Sequence, residues 1–176
     1  MQIHKVNTQL LDPSAWAPFG WLPVRDTDPQ DGKATLAFTW GDPHLNVISH
    51  RRDEVEWTPE GPICEVMFHH WTHTQALLVL NCEAVVVVAP PNCKLREPAD
   101  LGQVRAFLLA PGSSFVLHQG TWHWGPFPTT ADKVDLFNVQ GRRYAEDNEC
   151  ADLQRTGAKV GVLMGEMRSS PSRGAA

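Results

Sequence analysis

The chain has 176 residues, 42% hydrophobic and 20% charged, with a formal net charge of -5, which is enough for one domain with a real core. A pI near 5.9 and the lack of any long Lys/Arg run leave no electrostatic footprint for a phosphate backbone, so a small molecule is favoured over nucleic acid as partner. The N-terminus MQIHKVNTQLLDPSAW has no apolar signal core, and the longest apolar run, Ala84 to Pro91, is too short to span a bilayer, so a cytoplasmic protein without a membrane partner is expected.

Asp12 reads as a helix N-cap with Pro13 at the first helical position, and the prolines of AWAPFGWLP stop that helix after a short turn, making an N-terminal clasp. Eight β-prone runs follow, separated by Gly, Pro, Asp and Asn: ATLAFTW, HLNVISH, ICEVMFHH, QALLVL, AVVVVAP, VRAFLLA, SFVLHQ and KVDLFNV. Such spacing, with 14 Pro, 13 Gly and 7 Trp, points to an all-β sandwich or barrel. Asn81-Cys82-Glu83 forms a tight turn, and PPNCKLREPADLGQ a polar loop with room for one helical turn. Beyond Val139 the sequence is charged and irregular and is assigned no chemistry. The expectation is one domain over residues 1–165, followed by an unstructured end over 166–176. Cys64, Cys82, Cys93 and Cys150 lack CxxC spacing and read as free thiols.

Seven of the eight histidines fall in three groups: His44 and His50; His69, His70 and His73; His118 and His123. The latter two groups sit at the ends of strand-like runs beside apolar strands, as pocket-lining residues do, although any one of them alone reads equally well as a hydrogen-bonded core or surface histidine. Arg51 has the planar fork suited to a substrate carboxylate or, equally, to a salt bridge. Asp135 lies in an apolar strand, where a buried charge needs a partner, so it is expected to orient a pocket histidine or pair with an arginine. Trp71, Trp122 and Trp124 adjoin the histidines and are able to wall a pocket, whereas Trp16, Trp21, Trp40 and Trp57 read as core. Arg142 and Arg143 read as solvated.

Gly112-x5-His118-x-Gly120-x2-His123 resembles the second cupin motif, G-x5-P-x-G-x2-H-x3-N, with His118 at the proline and Phe127 at the closing Asn. Phe68-x-His70-x4-Gln75-x6-Cys82 follows the first motif more loosely. FHHWTHTQAL at Phe68 to Leu77 is similar to the modified first motif of ureidoglycolate lyases, E-R-H-x-x-x-T-Q-A-F. VISHR, VVVVA, VRAFLL, GTWH and VDLF extend the likeness over most of the chain before Gln140. Phe68 stands at that family's glutamate, and Trp124-Gly125 replaces its His-Pro pair.

The resemblance implies a cupin-type double-stranded β-helix, a jelly-roll barrel with short peripheral helices. It also implies a carbon–nitrogen lyase splitting ureidoglycolate into glyoxylate and urea in allantoin and purine degradation. Expected catalytic residues are His70, His123, His118 and Asp135; expected substrate contacts are Arg51, Gln75, Trp122 and His69. A nickel or zinc ion on His70, Gln75 and His123, with His118 or His73 completing the shell, is implied alongside a metal-free alternative. By fold analogy a homodimer is expected, with Trp16, Phe19 and Trp21 available for contact. The alternatives are a divergent cupin that binds or converts another small polar acid or sugar, and last a structural barrel.

Overall fold

The computed structural model describes residues 2–165. In chain order its strands are β1 (Gln2–Leu10), β2 (Gly20–Trp21), β3 (Pro43–Arg51), β4 (Ile63–Cys64), β5 (Val66–His69), β6 (Gln75–Val79), β7 (Ala84–Ala89), β8 (Arg105–Leu109), β9 (Ser114–Leu117), β10 (Trp122–Pro128), β11 (Lys133–Gly141), β12 (Glu149–Asp152) and β13 (Ala158–Leu163). One sheet has eight strands in the order β12-β5-β10-β7-β8-β1-β13-β4, and the other has five, β2-β9-β6-β11-β3. This is the expected all-β architecture, consistent with a cupin-type jelly roll, and among the described residues helix is confined to α1 (Pro13–Trp16) and short 3-10 segments. The end expected to be unstructured, 166–176, lies outside the described residues.

β7 is buried at every position because each of its faces serves a separate core. Val85, Val87 and Ala89 pack with Met67 and Trp122, while Ala84, Val86 and Val88 pack with Trp16, Phe107 and Phe115. A strand buried on both sides therefore reads as one continuous apolar run rather than an alternation. The predicted clasp seals the second core. The Asp12 carboxylate accepts from the Ser14 and Ala15 amides at 2.9 and 3.1 Å, and the Trp16 indole N–H donates to the Val116 carbonyl at 3.0 Å. Trp16 and Phe19 are 0% and 3% exposed. That corrects their expected part in a subunit contact, because both face the interior, where burying an aromatic ring stabilises most.

Three expectations along the chain are revised. ATLAFTW is not a strand: it makes one bridge, Phe38 to His73, with Thr39 N–H donating to the Thr72 carbonyl and Thr74 N–H to the Ala37 carbonyl. The charged stretch after Val139 contains β12 and β13, held by long-range pairing to β5, β1 and β4 rather than by any local alternation. Part of β3 and β11 is turned with apolar residues outward: Leu45, Val47 and Phe137 are 56%, 58% and 41% exposed, while the alternate positions, His44 paired with Gln140 and Asn46 paired with Asn138, face the barrel interior. Of the four tryptophans read as core, only Trp16 is fully buried; Trp40 and Trp57 are covered by the guanidiniums of Arg143 and Arg52 at 4.3 and 3.6 Å. All four cysteines are free thiols. No helix among the described residues is long and apolar enough to cross a membrane.

Candidate active site

A cavity of about 430 Å³ opens between the two sheets, a size typical of small-molecule sites. Its walls follow from strand alternation. Antiparallel pairing sets His123 on β10 opposite Phe68 on β5, so these two and His70, two residues on from Phe68, face the cavity. From the other sheet come Gln75 on β6, Ile48 and His50 on β3, and Gln140 on β11. Glu54, Tyr144 and Asn148 complete the rim.

One step along the strands the alternation reverses, and His69 and Trp122 point into the opposite core. Their rings stack 3.8 Å apart at 6°. His69 Nδ1 lies 3.2 Å from the Gly120 carbonyl and Nε2 2.8 Å from the Glu149 carboxylate, and the Trp122 indole N–H donates to the Cys93 carbonyl at 2.8 Å. Both were expected to contact substrate; neither lines the cavity. They brace the strand ends behind it.

Three further expectations are corrected. His118 is exposed and lies against Trp21, 5.5 Å between ring centroids, away from the cavity. Asp135 points to the outer face of β11, where it accepts from Ser49 Oγ at 2.6 Å and pairs with Lys133 at 3.0 Å; the strand is apolar, but the Asp135 side faces water. Arg51 is bound through both its Nε and Nη2 to Asp53 at 2.8 and 2.7 Å on the surface, so its fork is occupied outside the cavity. Arg143, read as solvated, bridges Asp42 and Trp40.

His70, His123 and Gln75 are the predicted site residues that come together. The His70 and His123 rings are 5.4 Å apart and tilted by 44°. His123 keeps one edge on the cavity, but the surrounding protein strips water from it, and this burial lowers its pKa to about 4. Burial lowers that of His70 further, to about 3, and the neighbouring His123 and His73 add to the effect. Both are therefore neutral imidazoles at neutral pH. Since a carbonyl only accepts, the 3.1 Å contact of His123 Nδ1 with the Thr121 carbonyl puts the proton on Nδ1 and leaves a lone pair on Nε2.

His73 stacks on His70 at 4.7 Å and 24°. Thr72 Oγ1 donates to Asp147 at 2.7 Å and accepts from His73 Nδ1 at 3.2 Å. Asp147 thus fastens the His-rich turn to the segment after β11. Gly120 shapes the other side: its φ of +77° and the Trp71 ring 2.3 Å from where a Cβ would sit exclude a side chain there, and its amide donates to the His70 carbonyl at 2.6 Å. Among the described residues, three buried polar atoms, His70 Nδ1, His73 Nε2 and Gln75 Oε1, find no partner.

The ion implied by the resemblance was nickel or zinc on His70, Gln75 and His123. An imidazole-bound ion sits in the ring plane, along the nitrogen lone pair, at about 2.0–2.1 Å for zinc. His70 and His73 stack nearly parallel, which does not aim their ring nitrogens at one point, so at most two imidazoles and a neutral amide oxygen converge. The carboxylate on the rim, Glu54, is engaged by His50 Nδ1 at 3.2 Å and by the Arg51 amide at 2.8 Å. Among the described residues no group of three His, Cys, Asp or Glu is placed to hold a metal. The residues present do not build such a site.

The residues missed in the sequence are His50, Gln140, Glu54, Tyr144 and Asn148. His50 and Gln140 had a signal: three of the four alternate positions of β3 (His44, Asn46 and His50, with Ile48 between them) and the last two of β11 (Asn138, Gln140) are polar and mark a polar stretch of the interior face. Tyr144 and Asn148 had none, since they reach the cavity from an irregular segment. The family model described as ureidoglycolate lyase matches residues 3–160. No curated protein matches the chain.

Proposed function

The chain belongs to the ureidoglycolate lyase family, and from that premise we propose that it is a carbon–nitrogen lyase whose reaction splits ureidoglycolate into glyoxylate and urea. The observation that carries the reading is the pair of neutral imidazoles, His70 and His123, facing one cavity. Substrate carries a hydroxyl and a ureido group on the same carbon. His123 Nε2, the free lone pair, takes the hydroxyl proton; the C–O bond becomes C=O as the C–N bond breaks, and the proton is returned to the departing nitrogen, giving urea. The ring of His70, 5.4 Å away, sits beside this transfer and relays or steadies the proton. No oxidant or reductant enters, and atoms balance.

Burial contributes in two ways. It keeps the imidazoles unprotonated, and it keeps water from competing for the proton in flight. Phe68, Val66 and Trp124 supply the apolar wall that does this. The place of such an activity is the urea-releasing step of allantoin breakdown in purine degradation. A second reading, a divergent cupin that binds another small polar acid or sugar, is favoured by one observation: Phe68, at the glutamate of the resembled motif, turns an apolar ring to the cavity.

The test is glyoxylate release from ureidoglycolate by purified protein. His123→Ala is expected to lose about 10²–10⁴-fold in rate, and His70→Ala to be impaired as well. Full activity in His123→Ala would overturn the assignment.

A further inference from the structure

The His-rich turn between β5 and β6 carries a chain of hydrogen bonds whose direction is fixed at one end by groups that cannot reverse. The Thr72 backbone N–H, which only donates, reaches Asp147 Oδ2 at 2.6 Å, and the Thr72 hydroxyl reaches the same oxygen at 2.7 Å. A carboxylate only accepts, so the hydroxyl proton lies towards Asp147 and the Thr72 Oγ1 lone pair faces His73 Nδ1 at 3.2 Å. Nδ1 of His73 therefore carries the proton and Nε2 the lone pair. Burial lowers the pKa of His73, so at neutral pH the ring holds that one proton and no second. The opposite tautomer would set two lone pairs together at Thr72 and bury an N–H at Nε2, where no acceptor lies among the described residues.

The ring so fixed is a support for His70. Phe38 lies parallel to His73, 6.4 Å between centroids at 4°, and His70 stacks on it at 4.7 Å and 24°. The Gly141 backbone closes on the same ring, since a Cβ there would come within 2.7 Å of His73 Nδ1. Asp147 also ends the 3-10 turn Tyr144–Glu146, its amide donating to the Tyr144 carbonyl at 3.2 Å, and the Tyr144 ring meets His70 edge-on at 6.4 Å and 89°. Two of the rings around His70, those of His73 and Tyr144, are thus tied to Asp147, a residue outside the cavity wall.

We propose that Asp147 is a positioning residue for the reaction: through Thr72 it fixes the tautomer and plane of His73, and through His73 the place of the His70 ring at the cavity. What counts is an acceptor at Oδ2 rather than the charge, because both bonds from Thr72 end on that one oxygen. This rests on the lyase reading and adds to it a residue that acts without touching substrate.

The experiment has two readouts on the full chain. Nitrogen NMR of protein labelled with 15N at histidine, at neutral pH and without substrate, shows which ring nitrogen of His73 bears the proton, the signal being assigned by its loss in His73→Gln. Nδ1–H is expected in the parent and in Asp147→Asn, which keeps an oxygen where Oδ2 lies, and the preference is expected to be lost in Asp147→Ala. In glyoxylate release, Asp147→Ala should lower kcat about 10–100-fold with KM within about threefold, and Asp147→Asn should keep kcat within about threefold of the parent. If Asp147→Ala does not fold, Thr72→Val, with the carboxylate left in place, carries both expectations of loss. Nε2–H in the parent, parental kcat in a folded Asp147→Ala protein, or equal losses in the Asn and Ala variants overturns the inference and leaves the lyase reading intact. A parent that shows Nδ1–H and releases no glyoxylate above the uncatalysed rate overturns the lyase reading, and with it the part Asp147 has in that reaction.

Discussion

Lowering the pH from 7.5 to 4.5 is expected to weaken the fold through His70 and His123. In the unfolded chain both titrate near the ordinary value of about 6.5, whereas burial holds them at about 3 and about 4 in the native protein. Below pH 6.5 the unfolded state therefore takes up protons that the native state refuses, so stability is fully present above that value and falls as pH drops towards the native pKa values. At about 1.36 kcal/mol per pH unit, and allowing for the edge His123 keeps on the cavity, each imidazole costs about 2 kcal/mol at pH 4.5, or about 4 together. Other groups contribute too, His73 among them in the same direction, so the informative quantity is a difference between proteins. Urea-denaturation midpoints at both pH values for the parent, His70→Gln and His123→Gln measure it. Each variant should lose about 2 kcal/mol less than the parent between the two pH values. Equal losses in all three would refute the burial argument.

The same low pKa of His123 predicts that kcat/KM stays level from pH 8 down to about 5.5 and declines only towards pH 4, where an ordinary histidine base would already fail near 6.5; a decline centred near 6.5 in a pH–rate profile would contradict it. Arg51→Ala and Asp135→Asn, both on the outer surface, should leave glyoxylate release unchanged and stability within about 0.5 kcal/mol, as read by turnover and denaturation. Trp16→Ala, at a fully buried site among Phe107 and Phe115, should cost about 3–5 kcal/mol in denaturant unfolding.

Motif spacing made His70, Gln75 and His123 legible because a strand–turn–strand barrel fixes which short-range offsets reach the interior. Position in the sequence is less informative where two faces compete. His69 adjoins His70, but a single step along β5 sends it to the opposite core, against Trp122. Asp135 looked buried because its strand is apolar, yet β11 turns Phe137 and Asp135 outward and Asn138 and Gln140 inward. The usual rule, apolar residues inside, is reversed there because the cavity needs polar walls and the amides satisfy one another across β3, β11 and β6. The segment after Val139 was unreadable for another reason. Tyr144, Asp147 and Asn148 gain their roles from contacts with residues more than sixty positions earlier, such as Thr72 with Asp147, and no local pattern records that. The long buried strand Ala84–Ala89 and the Asp12–Pro13 cap were plain, since each rests on residues adjacent in sequence.

The central claim is tested most directly by the products formed from ureidoglycolate by purified protein dialysed against a chelator. Urea and glyoxylate in equal amounts, without ammonia and at the rate of undialysed protein, are the predicted result. Ammonia in place of urea, release abolished by the chelator, or no release above the uncatalysed rate would contradict the account.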